Sequence, residues 1–99
     1  MNKEIKPVET RKLAHIVKIG YMSYYVDTVE ITTKFCANQT FETMAFECDA
    51  NGKVTDWHEK FVKYTHSPEE AKEMHNNVCQ NLKYFLKEAR DNEKSSYIN

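Results

Sequence analysis

Glycine and proline are scarce. Gly20, Gly52, Pro7 and Pro68 are the only ones in 99 residues, which leaves no glycine-rich loop of the kind that cradles phosphates through its backbone. No apolar run approaches the roughly 20 residues needed to span a bilayer, and Met1–Thr10 lacks the apolar core of a signal peptide. The expectation is a cytoplasmic protein with no membrane partner. Charge of one sign is also missing: fourteen basic against fifteen acidic residues give a net charge of −1. No whole-protein field therefore draws the chain to DNA, RNA or an anionic surface, and nucleic acid is not expected as the main partner. Cys36, Cys48 and Cys79 are odd in number, widely spaced and free of any C-x-x-C. They read as reduced thiols rather than a disulfide framework. No G-x-S-x-G and no Cys-His protease signature is present either, which removes the common nucleophilic hydrolases.

What the chain does have is one strong helix signal. Ser67 reads as an N-cap, Pro68 as the first helical residue and Glu70 as the capping-box partner. Ala71, Met74, His75, Val78, Leu82, Phe85, Leu86 and Ala89 then recur at steps of three and four up to Arg90, drawing one apolar stripe. Glu69, Glu70 and Glu73 at its start and Lys83, Lys87 and Arg90 near its end complement the helix dipole. Such a stripe must lie on something.

The preceding residues supply a sheet. Lys12–Ile19 suits a helix or a strand, with its β-branched second half and the stop at Gly20 favouring strand. Tyr21–Val26 is β-rich, Val26–Thr28 reads as a turn, and Val29–Phe35 alternates between a packed and a wet face. Cys36–Thr40 reads as a short polar connection and Phe41–Cys48 as a central strand with both faces partly apolar. Asn51-Gly52 predicts a tight reversal within Asp49–Lys53. Val54–Lys60 reads as loop or edge, and Phe61–Thr65 as a last short strand. The sum is an α+β domain over residues 11–91, an antiparallel sheet of four to five strands with one long C-terminal helix packed on one face. A loosely held arm over 1–10 and a frayed tail over 92–99 complete the chain. The face without a helix, displaying some of Tyr21, Tyr24, Tyr25, Phe41 and Trp57, is the expected site of dimerisation or ligand binding.

Three constellations carry possible chemistry. His75 and Cys79, four apart, share a helix face and offer two zinc ligands, but two ligands are not a site. His15, His58, His66, Cys36 or Cys48 would have to converge on them, so no metal or cofactor is expected. Glu42 and Glu47 with His58 or His75 are titratable, yet nothing marks a nucleophile, base and orienter, and the reading leans away from an enzyme. Glu42 and His75 are better taken as structural polar residues, His75 bonding to the sheet or to Glu42. The aromatics, 12% of the chain, suit base stacking, a protein interface or simple core filling.

Tyr24-Tyr-Val-Asp-Thr-Val-Glu-Ile-Thr-Thr-Lys-Phe35 followed by Phe41-Glu-Thr-Met-Ala-Phe46 resembles a widespread family of small phage and prophage proteins with a V-x-[IV]-S-T-x-F strand and an [FY]-E-T-M-[VA]-F strand. Lys63-Tyr64-Thr65, Glu70-Ala71 and His75 continue the likeness, which covers roughly residues 24–78. The chain departs from it at Lys34, where the family carries an apolar residue, and at Cys36–Gln39, where the family often has a longer loop. The resemblance implies phage origin and, by analogy with small phage accessory proteins, a non-enzymatic inhibitor of host defence in the host cytoplasm. The expected partner is a nucleotide-derived immune signal held by a homo-oligomer. Tyr24, Tyr25, Phe41 and Trp57 would stack, Arg11 and Lys34 would meet phosphate, and Thr43 would hydrogen-bond. The alternatives are a stoichiometric inhibitor of a host defence effector such as a CRISPR or other nuclease, and a small hydrolase built on Glu42 and His75.

Overall fold

The computed structural model describes residues 3–4, 13–33 and 36–98. In chain order the elements are β1 (Lys3–Glu4), β2 (Leu13–Ile19), β3 (Met22–Thr33), β4 (Cys36–Cys48), β5 (Val54–Asp56), β6 (Val62–Thr65), α1 (Pro68–Gln80) and α2 (Leu82–Ile98). Every strand pairing is antiparallel. Strands β3 and β4 form the centre, β2 and β1 share the outer side of β3, and β5 and β6 share the outer side of β4. The chain is thus α+β with an antiparallel sheet, as its pattern predicts. The four to five strands expected are present, and among the described residues the two-residue β1 pairs alongside them as a short addition. Among the described residues no helix is long and apolar enough to cross a membrane.

The segment before Gly20 is strand, the reading its β-branched half favoured. It reverses through Gly20-Tyr21, with Ile19 opposite Met22. Gly20 has φ +60°, the positive value that a two-residue hairpin of this kind needs at its first central position. The expected turn at Val26–Thr28 is not a turn. Val26, Asp27 and Thr28 stand opposite Ala45, Met44 and Thr43 on β4 and opposite His15, Ala14 and Leu13 on β2. Pairing on both sides overrides the turn preference of Asp27. Cys36–Thr40, expected as a connection, belongs to β4, with Thr33 opposite Cys36 and Ile31 opposite Thr40 across a register shift. Here too the cross-strand ladder outweighs a local polar composition.

The Asn-Gly reversal forms as the sequence predicts. Asp49 Oδ1 accepts the N–H groups of Asn51 and Lys53, each at 2.9 Å, and Gly52 has φ +87°. A Cβ on Gly52 would lie 2.5 Å from Ile16 Cδ1. Ile16 belongs to β2, two strands away from β4, so the sheet curls and this turn reaches over the face that carries no helix.

The helical stripe is buried or half-buried at all eight of its positions, and Val78, Leu82 and Phe85 pack with Val26 and Ala45 as the core. Fully burying side chains of this size stabilises by roughly 2 kcal/mol each. The single long helix is instead two, divided at Asn81 (φ −125°). The Asn81 side-chain amide donates to Asn77 O and Asn77 Oδ1, the local competition that disfavours asparagine inside helices. Its backbone N–H still reaches Asn77 O, and Phe85 N–H reaches Asn81 O. The stripe therefore stays in phase across the break. Helical backbone continues past Asp91 to Ile98, where the frayed tail was expected. Of the expected arm over 1–10, Lys3 and Glu4 pair with Thr33 and Thr32, and the rest lies outside the described residues.

The cap is built as the sequence indicates, with one change of partner. Ser67 Oγ accepts the Glu70 N–H at 3.1 Å, while the Glu70 carboxylate accepts from His66 N–H rather than from the cap itself. Ser67→Ala is expected to lower unfolding stability by about 1 kcal/mol, measured as a shift of the denaturant midpoint. An unchanged midpoint would show that α1 is held by its stripe alone.

Candidate functional site

Strand alternation sorts the side chains between two faces. The face beneath the helices carries His15 and Val17 from β2, Tyr24, Val26 and Thr28 from β3, and Phe41, Thr43, Ala45 and Glu47 from β4, by register with the core pair Val26 and Ala45. Ile16, Tyr25, Asp27, Val29, Glu42 and Phe46 project from the other.

A polar chain crosses the apolar helix–sheet interface. Thr28 and Thr43, directly opposite one another, share a hydrogen bond at 2.7 Å, and Thr28 Oγ1 lies 2.9 Å from His75 Nδ1. His75 Nε2 lies 2.8 Å from His15 Nδ1. His75, Thr28 and Thr43 are all fully buried, whereas His15 is exposed. Burial, reinforced by the neighbouring His15 imidazole, pushes His75 down from its ordinary value to about 4. A neutral imidazole has one N–H. It is donated either outward to His15, with Thr28 donating to Nδ1, or inward to Thr28, with His15 donating to Nε2. Protonating His15 forces the second arrangement. Cys79, one turn after His75, lies beside this pair: the ligand atoms of His15, His75 and Cys79 are all within 4.8 Å of one another. Burial raises the Cys79 thiol above its ordinary value.

Among the described residues, those expected to bind a ligand do not converge. Phe41 and Thr43 are buried on the helix face. Tyr25 lies on the opposite face, as does Trp57, which meets the edge of Phe46 at 5.3 Å between ring centroids. Arg11 and Lys34 lie outside the described residues. Tyr21, expected on the uncovered face, is fully exposed at the hairpin tip. Glu42 projects from the face opposite His75, because it neighbours Thr43 in an alternating strand. The two cannot act as an acid–base couple, and His75 bonds to Thr28 instead.

Tyr24 alone enters a cleft, a space of about 390 Å³ between α2 and the end of the sheet. Its walls include Ile19, Leu86 and Ala89, with Lys60, Lys83, Arg90, Glu47 and Glu93 supplying charge. Lys60 is paired with Glu47 at 2.9 Å, a hydrogen bond that holds its ammonium above the ordinary value. Among the described residues neither Lys83 nor Arg90 is engaged in an ion pair. The sequence offered a signal for this wall: Lys83, Leu86, Arg90 and Glu93 step by three, four and three along the margin of the stripe. Read alone, the basic residues suggested only dipole complementarity. Nothing in the sequence signalled Lys60 or the pairing of Thr28 with Thr43.

Comparison with known protein families, curated proteins and solved structures finds no match.

Because His75 binds its proton less readily folded than unfolded, the unfolded chain holds more protons between about pH 6.5 and pH 4. Stability is therefore complete above that window and falls as pH drops through it, by on the order of 3 kcal/mol in total. Denaturant titrations of metal-free protein from pH 7 to pH 4 should show this loss, and a flat profile would contradict the assignment.

Proposed function

We propose that this chain is a phage-encoded, non-enzymatic counter-defence protein that captures a nucleotide-derived immune signal in the cleft under α2. The observation that carries the reading is the lining of that cleft, where Tyr24 sits among Lys60, Lys83 and Arg90 with apolar floor from Ile19, Leu86 and Ala89. An aromatic face for a base, cations for phosphate and a volume within the roughly 300–1,000 Å³ of small-molecule sites are the features such a ligand requires. Two of the cations, Lys83 and Arg90, are in no ion pair among the described residues, although Glu93 lines the same cleft. Binding rather than turnover is the conclusion because the buried His75 faces Thr28 and His15, not this cleft. The cleft is built within one chain, so capture does not require the homo-oligomer. Association would instead add avidity or cover the remaining face.

A second reading rests on a different observation. Ile16, Trp57 and Tyr64 are 49%, 71% and 53% exposed, and they belong to the face without helices. Apolar surface of this kind fits a stoichiometric inhibitor that docks on a host effector.

Equilibrium binding with cyclic nucleotides and cyclic ADP-ribose species separates the two. Captured ligand should be recovered intact after heat denaturation, and the double variant Lys83→Glu/Arg90→Glu should weaken capture at least about tenfold, given the 1.4 kcal/mol that this factor represents. Recovery of cleaved ligand would mean an enzyme. Failure to bind any of these species would overturn the capture reading and leave the Trp57 face to be tested against host effectors.

A further inference from the structure

The cluster of His15, His75 and Cys79 lies away from the cleft and has no part in the capture reading. We propose that these three side chains form a binding site for a divalent transition-metal ion of the zinc class, using His15 Nδ1, His75 Nε2 and Cys79 Sγ and leaving the fourth position to water. The two histidines and a thiol come from separate parts of the chain, His15 from β2 and the other two from successive turns of α1. Their ligand atoms already lie within 4.8 Å of one another, with the two nitrogens 2.8 Å apart. Around a tetrahedral zinc ion, bonds of about 2.05 Å to nitrogen and 2.3 Å to sulfur separate the ligand atoms by about 3.3 to 3.6 Å. The imidazoles must part by about half an ångström and the thiol must close by at most slightly more than one. Small side-chain rotations of an exposed His15 and a half-buried Cys79 supply both.

The outer partners fit as well. A metal-bound imidazole usually donates its second N–H to a fixed acceptor, which sets the tautomer and aims the other nitrogen. Thr28 Oγ1, 2.9 Å from His75 Nδ1 and itself held by Thr43, is placed to be that acceptor. The Nε2 lone pair then faces the ion. In the bound state His75 carries its one N–H at Nδ1, toward Thr28, and His15 carries its one at Nε2, toward solvent. The proton between the rings moves to whichever of these two positions was bare, and the thiol proton of Cys79 is released to water as the Cys79–metal bond forms. His15 and Cys79 are accessible, so the ion has an entry path and a solvent-side position for its water. The ion would tie α1 to strand β2.

Cobalt(II) added to the reduced, chelator-washed protein reads the site directly. One equivalent should bind with the intense visible bands of tetrahedral coordination and a thiolate-to-cobalt charge-transfer band in the near ultraviolet, and zinc should displace it. Cys79→Ser should abolish the charge-transfer band, and His15→Gln should weaken zinc binding strongly, both with an unchanged far-ultraviolet circular dichroism spectrum. Thr28→Val should weaken zinc binding by about 10 to 100-fold. Absence of a charge-transfer band in the wild-type protein, or retention of that band and of zinc affinity in Cys79→Ser or His15→Gln, would overturn the proposal.

Discussion

The uninterrupted pairing of β3 with β4 governs the rest of the structure. From Ser23 opposite Cys48 to Ile31 opposite Thr40 the register does not slip. Every assignment of a side chain to one face or the other follows from it. Val26 opposite Ala45 makes the small, flat apolar platform on which Val78, Leu82 and Phe85 rest. Thr28 opposite Thr43 makes the polar spot beside that platform. A shift of one residue would turn one of the two strands over, carrying Asp27 or Glu42 under the helices and expelling that strand's half of the platform to the other side. Burying either carboxylate against the apolar stripe would cost several kcal/mol, so the register is fixed by chemistry on both faces.

The polar spot serves the same end from the helix side. His75 lies within the stripe at a position where an aliphatic residue would bury as well, and an unsatisfied imidazole there would be destabilising. It is tolerated because both ring nitrogens have partners, one from the centre of the sheet and one from its edge. Those bonds require α1 to sit at one height and one rotation over the sheet. Apolar packing alone is less demanding, since the stripe can slide by a turn and remain buried. The histidine thus adds specificity to an interface whose strength comes from its neighbours. Its second nitrogen, turned toward an exposed His15 and a nearby thiol, is where structural and chemical roles meet.

Much of the architecture was legible beforehand because its signals are local. Ser67-Pro68-Glu69-Glu70 specifies a helix start whatever lies beneath it, and Asn51-Gly52 specifies a reversal because few other residues accept the backbone angles. The stripe from Ala71 to Ala89 survives the break at Asn81 in register. What local signals misread were the places where tertiary pairing overrules composition. Val26–Thr28 suggested a turn and Cys36–Thr40 a polar connection, yet ladder pairing with neighbouring strands extended β3 and β4 through both. The break at Asn81 is the reverse case, an apolar period long enough to mask a residue whose own amide disrupts the helix.

The candidate sites were less legible, for a physical reason. His75 and Cys79 could be placed on one helix face from their spacing of four, whereas Tyr24, expected on the uncovered face, stands beneath the helices with the core. Which of the remaining histidines approached, and which cations shared space with Tyr24, depended on contacts between residues 36 to 66 positions apart in the chain. The sequence by itself determined the helix cap, its buried stripe, the Asn-Gly reversal and an antiparallel α+β class, since each depends on conformational preference or periodicity within one segment. Only the tertiary structure decided that Phe41 and Thr43 face the helices, that Glu42 does not, that His15 meets His75, and that Lys83 and Arg90 border a cleft. Those outcomes follow from register and curl, which are properties of strands in contact rather than of any one stretch of residues.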